Sequence, residues 1–190
     1  MACVWVGMAV LWRRLVARVG ALDNAPMARP KSAHHDLKRD EILDQAARCF
    51  AQQSYPAASM NDIAAACGTS KARLYHYYSS KDAILFDLLD RYTQRLLALI
   101  GEAEARAQRR NLNDREALHE LVRAFLTEYE HSATRHVALV SAVGFLPDSQ
   151  RTLVLDRQRD VVSAFTRFLC RAYPGRVTPS NQAAVTMMVF

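Results

Sequence analysis

The chain has 190 residues, 51% of them hydrophobic and 23% charged, enough for one medium domain or two small ones with a buried core. That composition excludes low-complexity disorder and collagen-like repeats. The formal net charge of +6 makes nucleic acid or an anionic surface a reasonable partner without proving either.

Met1 to Trp12 is apolar, and Arg13, Arg14 and Arg18 follow it. A secretory signal has the opposite order, with its positive charges first. Three readings stay open for this stretch: a membrane-surface anchor, an unstructured extension, and a segment not translated in the native source. Met27 opens the polar arm Met-Ala-Arg-Pro-Lys-Ser and is the expected start. Residues 1–37 are therefore expected to form a disordered N-terminal extension.

Nearly everything after Lys38 reads as helix. Ile42, Leu43, Ala46, Ala47 and Phe50 share one face of a 3.6-residue period. Ser54-Tyr55-Pro56 breaks that helix, because proline disfavours helical geometry in the residue before it. Ser59 with Asp62 three residues on predicts a capping box opening a short helix through Ile63 and the alanines at 64–66. Gly68 ends it in the left-handed conformation. Ser70 caps a third helix carrying Leu74 and Tyr78, and Ser79 or Ser80 starts a fourth that runs to about Ala107. A polar linker follows. A fifth helix carries Leu118, Leu121, Val122, Phe125, Leu126 and Tyr129. A sixth, Val137 to Phe145, is apolar all round and is expected to be buried. A seventh carries Leu153, Val161, Val162, Phe165, Phe168 and Leu169. Pro179 opens an eighth, inside which the chain stops at Val189-Phe190, so the helical region reads as truncated. No segment alternates with the period of a strand. The fold class is all-α.

The segment from Ser59 to Lys81 carries the chemistry. Two short helices meeting at Gly68-Thr69 make a helix-turn-helix, spanning residues 61–80. Ser70 to Lys81 holds three positive charges and no negative one. Lys71 and Lys81 suit phosphates, releasing counterions. Arg73 suits guanine O6 and N7, a contact worth roughly 1–3 kcal/mol of discrimination. Ala72 suits a thymine methyl, and the Tyr75 and Tyr77 hydroxyls suit phosphate oxygens. Leu74 and Tyr78, four apart, are expected to face the core. The competing reading, an aromatic packing stripe, explains Leu74 and Tyr78 but not three tyrosines and His76 beside three cations. Ser59, Ser70, Lys71, Ala72, Arg73, Tyr75, His76, Tyr77 and Lys81 are the candidate DNA-binding residues.

Arg39, Ile42, Leu43, Ala46, Ala47 and Phe50, then Ser59-Met60, Ile63-Ala64, Cys67-Gly68-Thr69-Ser70-Lys71 and Leu74-Tyr75, then Tyr78, Lys81-Asp82 and Ile84-Leu85 together resemble the tetracycline-repressor (TetR) family over about residues 38–98. The resemblance implies a homodimeric, all-helical transcription regulator, usually a repressor, whose third helix enters the major groove. It implies backbone or base contacts by Tyr75 and Lys81. The chain departs from the family pattern at Tyr77, where histidine is common and His76 stands one place earlier. It departs also at Ser54 and Ala72, where glycine is usual, and at Cys67, where alanine is usual. Ala72 and Arg73 imply a distinctive operator, and Ser54 implies a stiffened or strained turn.

Residues 38–98 are thus expected to be the DNA-binding domain and 99–190 an incomplete effector-binding and dimerisation domain. Leu121, Phe125, Tyr129, Val140, Gly144, Phe145 and Phe165 are the candidate effector-lining residues, with plain core packing the alternative at each. Gly144 inside an apolar helix hints at close helix approach or room for a ligand. The effector class is open; an apolar or acyl-CoA-like molecule is the working expectation. His119, His131 and His136 are spaced twelve and five apart, which does not put two on one helical face for a metal. No Ser-His-Asp order, H-E-x-x-H or glycine-rich phosphate loop occurs, so no catalytic residue and no cofactor is expected. Cys3, Cys49, Cys67 and Cys170 form no C-x-x-C and read as reduced thiols in a cytoplasmic protein. No apolar run reaches the roughly 18–20 residues that cross a bilayer. The alternative to a sequence-specific regulator is a non-specific basic nucleic-acid or membrane-surface binding protein.

Overall fold

The structure is a computed structural model and describes residues 31–176. The expected start at Met27, the apolar N-terminal stretch and the eighth helix lie outside the described residues.

Seven α-helices and one 3₁₀ turn, with no strand, make up the described residues. They are α1 Lys31–Gln53, α2 Met60–Ala66, α3 Lys71–Tyr75, α4 Lys81–Arg109, α5 Asp114–His131, α6 Ala133–Ala142, the 3₁₀ turn Val143–Phe145, and α7 Asp148–Ala172. The first helix opens at Lys31, so residues 31–37, the last of the extension expected to be disordered, are helical. Its apolar stripe, Ile42, Leu43, Ala46, Ala47 and Phe50, is buried as the period requires.

Ser54 ends α1 at φ 70°, in the left-handed region. That conformation lets the Ala58 N–H reach the Ser54 carbonyl at 3.1 Å and folds the chain back toward α2. A β-carbon there is disfavoured by about 1–2 kcal/mol, whereas glycine adopts it freely. Ser54→Gly should therefore raise stability by about 0.5–1 kcal/mol after glycine's larger entropy loss is subtracted. A urea midpoint that falls in this variant, at constant m-value, would show that the serine is unstrained.

The 29-residue α4 is the spine. Its first turns bury Ile84, Leu85, Leu88 and Leu89, and its later turns bury Leu96, Leu99, Ala103 and Ala107. It packs on α5, α6 and α7. No break falls near residue 98, and the buried residues run as one cluster from Ile42 to Ala172. Among the described residues the packing therefore shows no seam at the expected boundary between residues 98 and 99.

The expectation of a sixth helix buried all round is corrected. The α-helix ends at Ala142, and only Ala138, Leu139 and Ala142 are fully inside. Val140 and Phe145 are 46% and 51% exposed. Ala138, Leu139 and Ala142 form the one inward face of α6, while Val140 stands on its outer side. Gly144 lies in the 3₁₀ turn, and a β-carbon there would meet nothing within 4 Å, so close helix approach is not its reason. On α5, Val122 and Leu126 are likewise exposed, and on α7 the inward face runs through Val154, Val161, Phe165 and Phe168 while Leu153 is exposed. No helix among the described residues is long and apolar enough to cross a membrane.

Candidate nucleic-acid interface

The helix-turn-helix is built from backbone caps. The Ser59 hydroxyl accepts from the Asp62 N–H at 3.2 Å, and the Asp62 carboxylate accepts from the Ser59 N–H at 2.8 Å, closing the capping box. These bonds hold the Asp62 carboxyl below its ordinary range. At the other end of α2 the Thr69 N–H reaches the Ala64 carbonyl at 2.9 Å and the Gly68 N–H reaches Ala65 at 3.0 Å, with Gly68 at φ +59°. That pair of bonds is a Schellman turn, which needs its left-handed residue to be glycine-like. Ser70 then caps α3, its hydroxyl accepting from the Arg73 N–H at 3.2 Å.

With both ends of the turn satisfied, the side chains of α3 divide cleanly. Leu74 and Tyr78 are buried. Lys71, Ala72, Arg73, Tyr75 and His76 are exposed. Among the described residues the Lys71, Arg73 and Tyr75 side chains make no hydrogen bond or ion pair, so their donors are available. Tyr77 is half-buried against the core. Ser59 and Ser70 are exposed, but their hydroxyls already serve as caps.

Lys81 is placed differently. Its ammonium donates to the carbonyls of Ala58 at 2.8 Å, Tyr55 at 2.9 Å and Pro56 at 3.4 Å, and lies 4.4 Å from the Tyr55 ring centre. All three N–H donors face the α1–α2 loop, so a phosphate contact by Lys81 requires one of them to be released.

A second group of residues, not found from the sequence, anchors α3. The Tyr78 hydroxyl donates to the Asp87 carboxylate at 2.6 Å, Arg39 reaches the same oxygen at 2.9 Å, and Arg91 reaches the other oxygen at 2.9 Å. Arg91 also pairs with Asp40 at 3.0 Å, and the Arg39 guanidinium lies 5.1 Å from the Tyr78 ring centre. Burial alone would raise the Asp87 carboxyl. The hydrogen bonds from Tyr78 and Arg91 and the charges of Arg91 and Arg39 outweigh it and hold the group below its ordinary range. The one sequence-level signal was the i, i+4 pair Asp87 and Arg91.

Farther along, Leu121, Phe125 and Phe165 are buried, Phe125 meeting Phe165 edge-on at 4.7 Å and Tyr129 at 6.0 Å. Tyr129 continues to His136 at 4.6 Å, and the Tyr92 hydroxyl lies 3.5 Å from His136 Nδ1. Burial pushes the His136 pKa down to about 4. This aromatic interior unites Leu121, Phe125, Tyr129 and Phe165. Phe145 is not among them; its ring lies 5.1 Å from that of Tyr55. An open groove of about 460 Å³ between α4 and α5 is lined mainly by charge, including Arg95, Glu102, Arg106, Glu120 and Arg123. His119 is exposed and His131 Nδ1 donates to the Thr127 carbonyl at 2.7 Å. No group of three or more metal-ligating side chains occurs among the described residues.

A short capped helix, presented by a tight glycine turn on a three-helix head with its cations outward, defines a helix-turn-helix protein. The sequence profile of bacterial regulatory proteins, tetR family, matches residues 42–88. The chain is 34% identical over 73 residues to an HTH-type transcriptional repressor of Mycobacterium tuberculosis, covering 38% of this chain and 39% of that one. It is 31% identical over 121 residues to the HTH-type transcriptional repressor KstR2 of Rhodococcus jostii, covering 64% and 54%. The crystal structure of a TetR-family transcriptional regulator from Bordetella parapertussis matches with a TM-score of 0.71 at 32% identity, covering 79% of this chain and 77% of that one. The chain belongs to the tetR family of bacterial regulatory proteins. Its aligned stretches span little more than half, or less, of the two curated repressors.

Proposed function

We propose that the protein is a sequence-specific DNA-binding transcription regulator, a ligand-responsive repressor working in the cytoplasm as a homodimer on double-stranded operator DNA. The observation that carries this reading is the first turn of α3, where Lys71 and Arg73 stand exposed above the buried Leu74 with no partner among the described residues. In a major groove, Arg73 reads a guanine edge, Ala72 packs on a thymine methyl, Lys71 neutralises phosphate, and Tyr75, His76 and Tyr77 hold the backbone. Lys81 joins them by exchanging a loop carbonyl for phosphate. Ser59 and Ser70 act by fixing the two helix starts. Residues 38–98 are the DNA-reading part and 99–190 the effector-binding and dimerisation part.

Two copies would place their α3 helices in successive major grooves, roughly 34–36 Å apart, and an effector would repress binding by favouring another spacing. The aromatic interior of Leu121, Phe125, Tyr129 and Phe165 suits an apolar or acyl-CoA-like effector. The protein's role on this reading is binding, with no catalysis.

Binding-site selection from random duplex DNA tests the proposal, and it should return a palindrome bound with steep salt dependence. Arg73→Ala should then relax discrimination at one base pair per half-site by about 1–3 kcal/mol, roughly 5-fold to 150-fold. If the wild-type chain enriches no sequence, the proposal fails; if Arg73→Ala keeps full discrimination, another residue reads the base.

A further inference from the structure

We propose that Arg135, near the start of α6, and Phe145, in the 3₁₀ turn that follows it, are positioning residues for the DNA-reading head, tying α6 to α1 and its following turn to the α1–α2 loop and so setting the attitude in which α3 is presented. The inference rests on the DNA-binding reading above and adds to it a route by which the rest of the molecule bears on the head.

At the N-terminal end of α6, Arg135 Nε and Nη2 both donate to one oxygen of Asp44 on α1, at 2.9 and 2.7 Å, across 91 positions of sequence. At the far end the 3₁₀ turn carries Phe145 onto Tyr55, ring centres 5.1 Å apart and planes at 34°. Phe145 is half in water, so it adds little to the core of its own region, and the ring it covers belongs to the head. Tyr55 itself is buried and held on every other side. Phe50 meets it edge-on at 5.1 Å, the Lys81 ammonium lies over its ring, and its hydroxyl donates to Asp82.

From Tyr55 the path to the reading helix is short. Lys81 holds the carbonyls of Tyr55, Pro56 and Ala58, the last directly before the cap residue Ser59 of α2. A close-packed ring cannot be displaced without moving its neighbours. A shift of α6 is therefore delivered to the start of the helix-turn-helix. The inner side of the same helix packs His136 against Tyr92 and Tyr129, so one ten-residue element touches both the aromatic interior and the head.

The test uses the full chain and the operator obtained by selection. Phe145→Ala and Arg135→Gln are titrated against it by fluorescence anisotropy at several salt concentrations, with hydrogen exchange of residues 54–59 measured in parallel. Phe145→Ala should lower operator affinity about threefold to tenfold and Arg135→Gln about twofold to fivefold, the scales of one aromatic pair and one surface ion pair. The salt slope should be unchanged, because no phosphate contact is lost, and exchange in the loop should quicken. Phe145→Leu should recover part of the loss, and keeps the test valid if the alanine variant folds poorly. Leu126→Ala, an equally exposed apolar truncation on α5, should leave affinity unchanged. Wild-type binding to its operator with unchanged affinity and loop protection in both variants overturns the inference alone. Failure of the wild-type chain to bind any duplex overturns the DNA-binding reading and this inference together, and is told apart by the wild-type titration.

Discussion

Replacing Asp87 with alanine should lower stability by about 2–4 kcal/mol and abolish operator binding even where the protein stays folded. Removing one partner of a buried charge network costs about 3–5 kcal/mol, because the groups left behind keep their desolvation cost without their bonds. Asp87 is 18% exposed in its side chain, which puts the expectation somewhat below that range. Three groups lose their acceptor at once: the Tyr78 hydroxyl, Arg39 and Arg91. Arg91 keeps Asp40, but Tyr78 has no equivalent substitute among the bonds seen, and it is the last buried residue before α4. Loss of that acceptor frees the segment after α3 from α4 and leaves it only the longer 3.4 Å bond that the Tyr78 hydroxyl accepts from Arg39 Nε on α1. Asp87→Asn, which preserves shape and some hydrogen bonding, should fall between wild type and alanine. The measurement is a urea midpoint together with operator titration at low temperature. An alanine variant with a wild-type midpoint would show that the network is ornamental to the fold.

The network also has a pH signature. The carboxyl of Asp87 titrates below its ordinary range when folded, so its contribution is complete above the unfolded value near 4 and is lost as pH falls through the folded value.

The second large effect comes from His136, with a different window. Burial lowers its pKa from the ordinary 6.5 to about 4, so the folded protein holds the ring neutral where the unfolded chain would protonate it. The unfolded state therefore binds more protons between the two values. Stability contributed by the neutral ring is complete above pH 6.5 and declines as pH falls toward 4, by up to about 3 kcal/mol at the full shift. His136→Leu should flatten the part of the stability profile between pH 6.5 and 4.5. Thermal or urea unfolding across that range measures it. A wild-type profile that is already flat there would mean that His136 protonates in place and that its cluster with Tyr92 and Tyr129 is hydrated.

How much of this was legible in the sequence follows from the range of the forces involved. The caps at Ser59, Ser70 and Gly68 are three- to five-residue devices, and the inward Leu74 and Tyr78 follow from a helical period, so local rules located α3 and its inward side. The strained Ser54 was legible too, as a serine at a position where the resemblance expects glycine. Lys81 was not. A cation just past a helix-turn-helix suggests phosphate, and only the folded chain shows three carbonyls, 23 to 26 residues earlier, already in reach. Asp87 showed only its i, i+4 pairing with Arg91 for the same reason, its other partners Tyr78 and Arg39 lying 9 and 48 positions away. For α6, an apolar count suggested burial, but which side chains turn inward is decided by the neighbours. Those neighbours accept Ala138, Leu139 and Ala142 and leave Val140 outside.

The unbroken course of α4 has a mechanical consequence. At 29 residues it is a rod of about 44 Å, with the Lys81 and Asp82 clamp at one tip and the Arg106 and Glu120 pair near the other. A lever of that length amplifies angle into distance: tilting it by about 5° about its far end sweeps the near tip by roughly 4 Å, close to the 3.4 Å step between stacked base pairs. Slight repacking among α5 and α7 is therefore geometrically sufficient to displace the near end of the rod, and the helices clamped to it, by about that step.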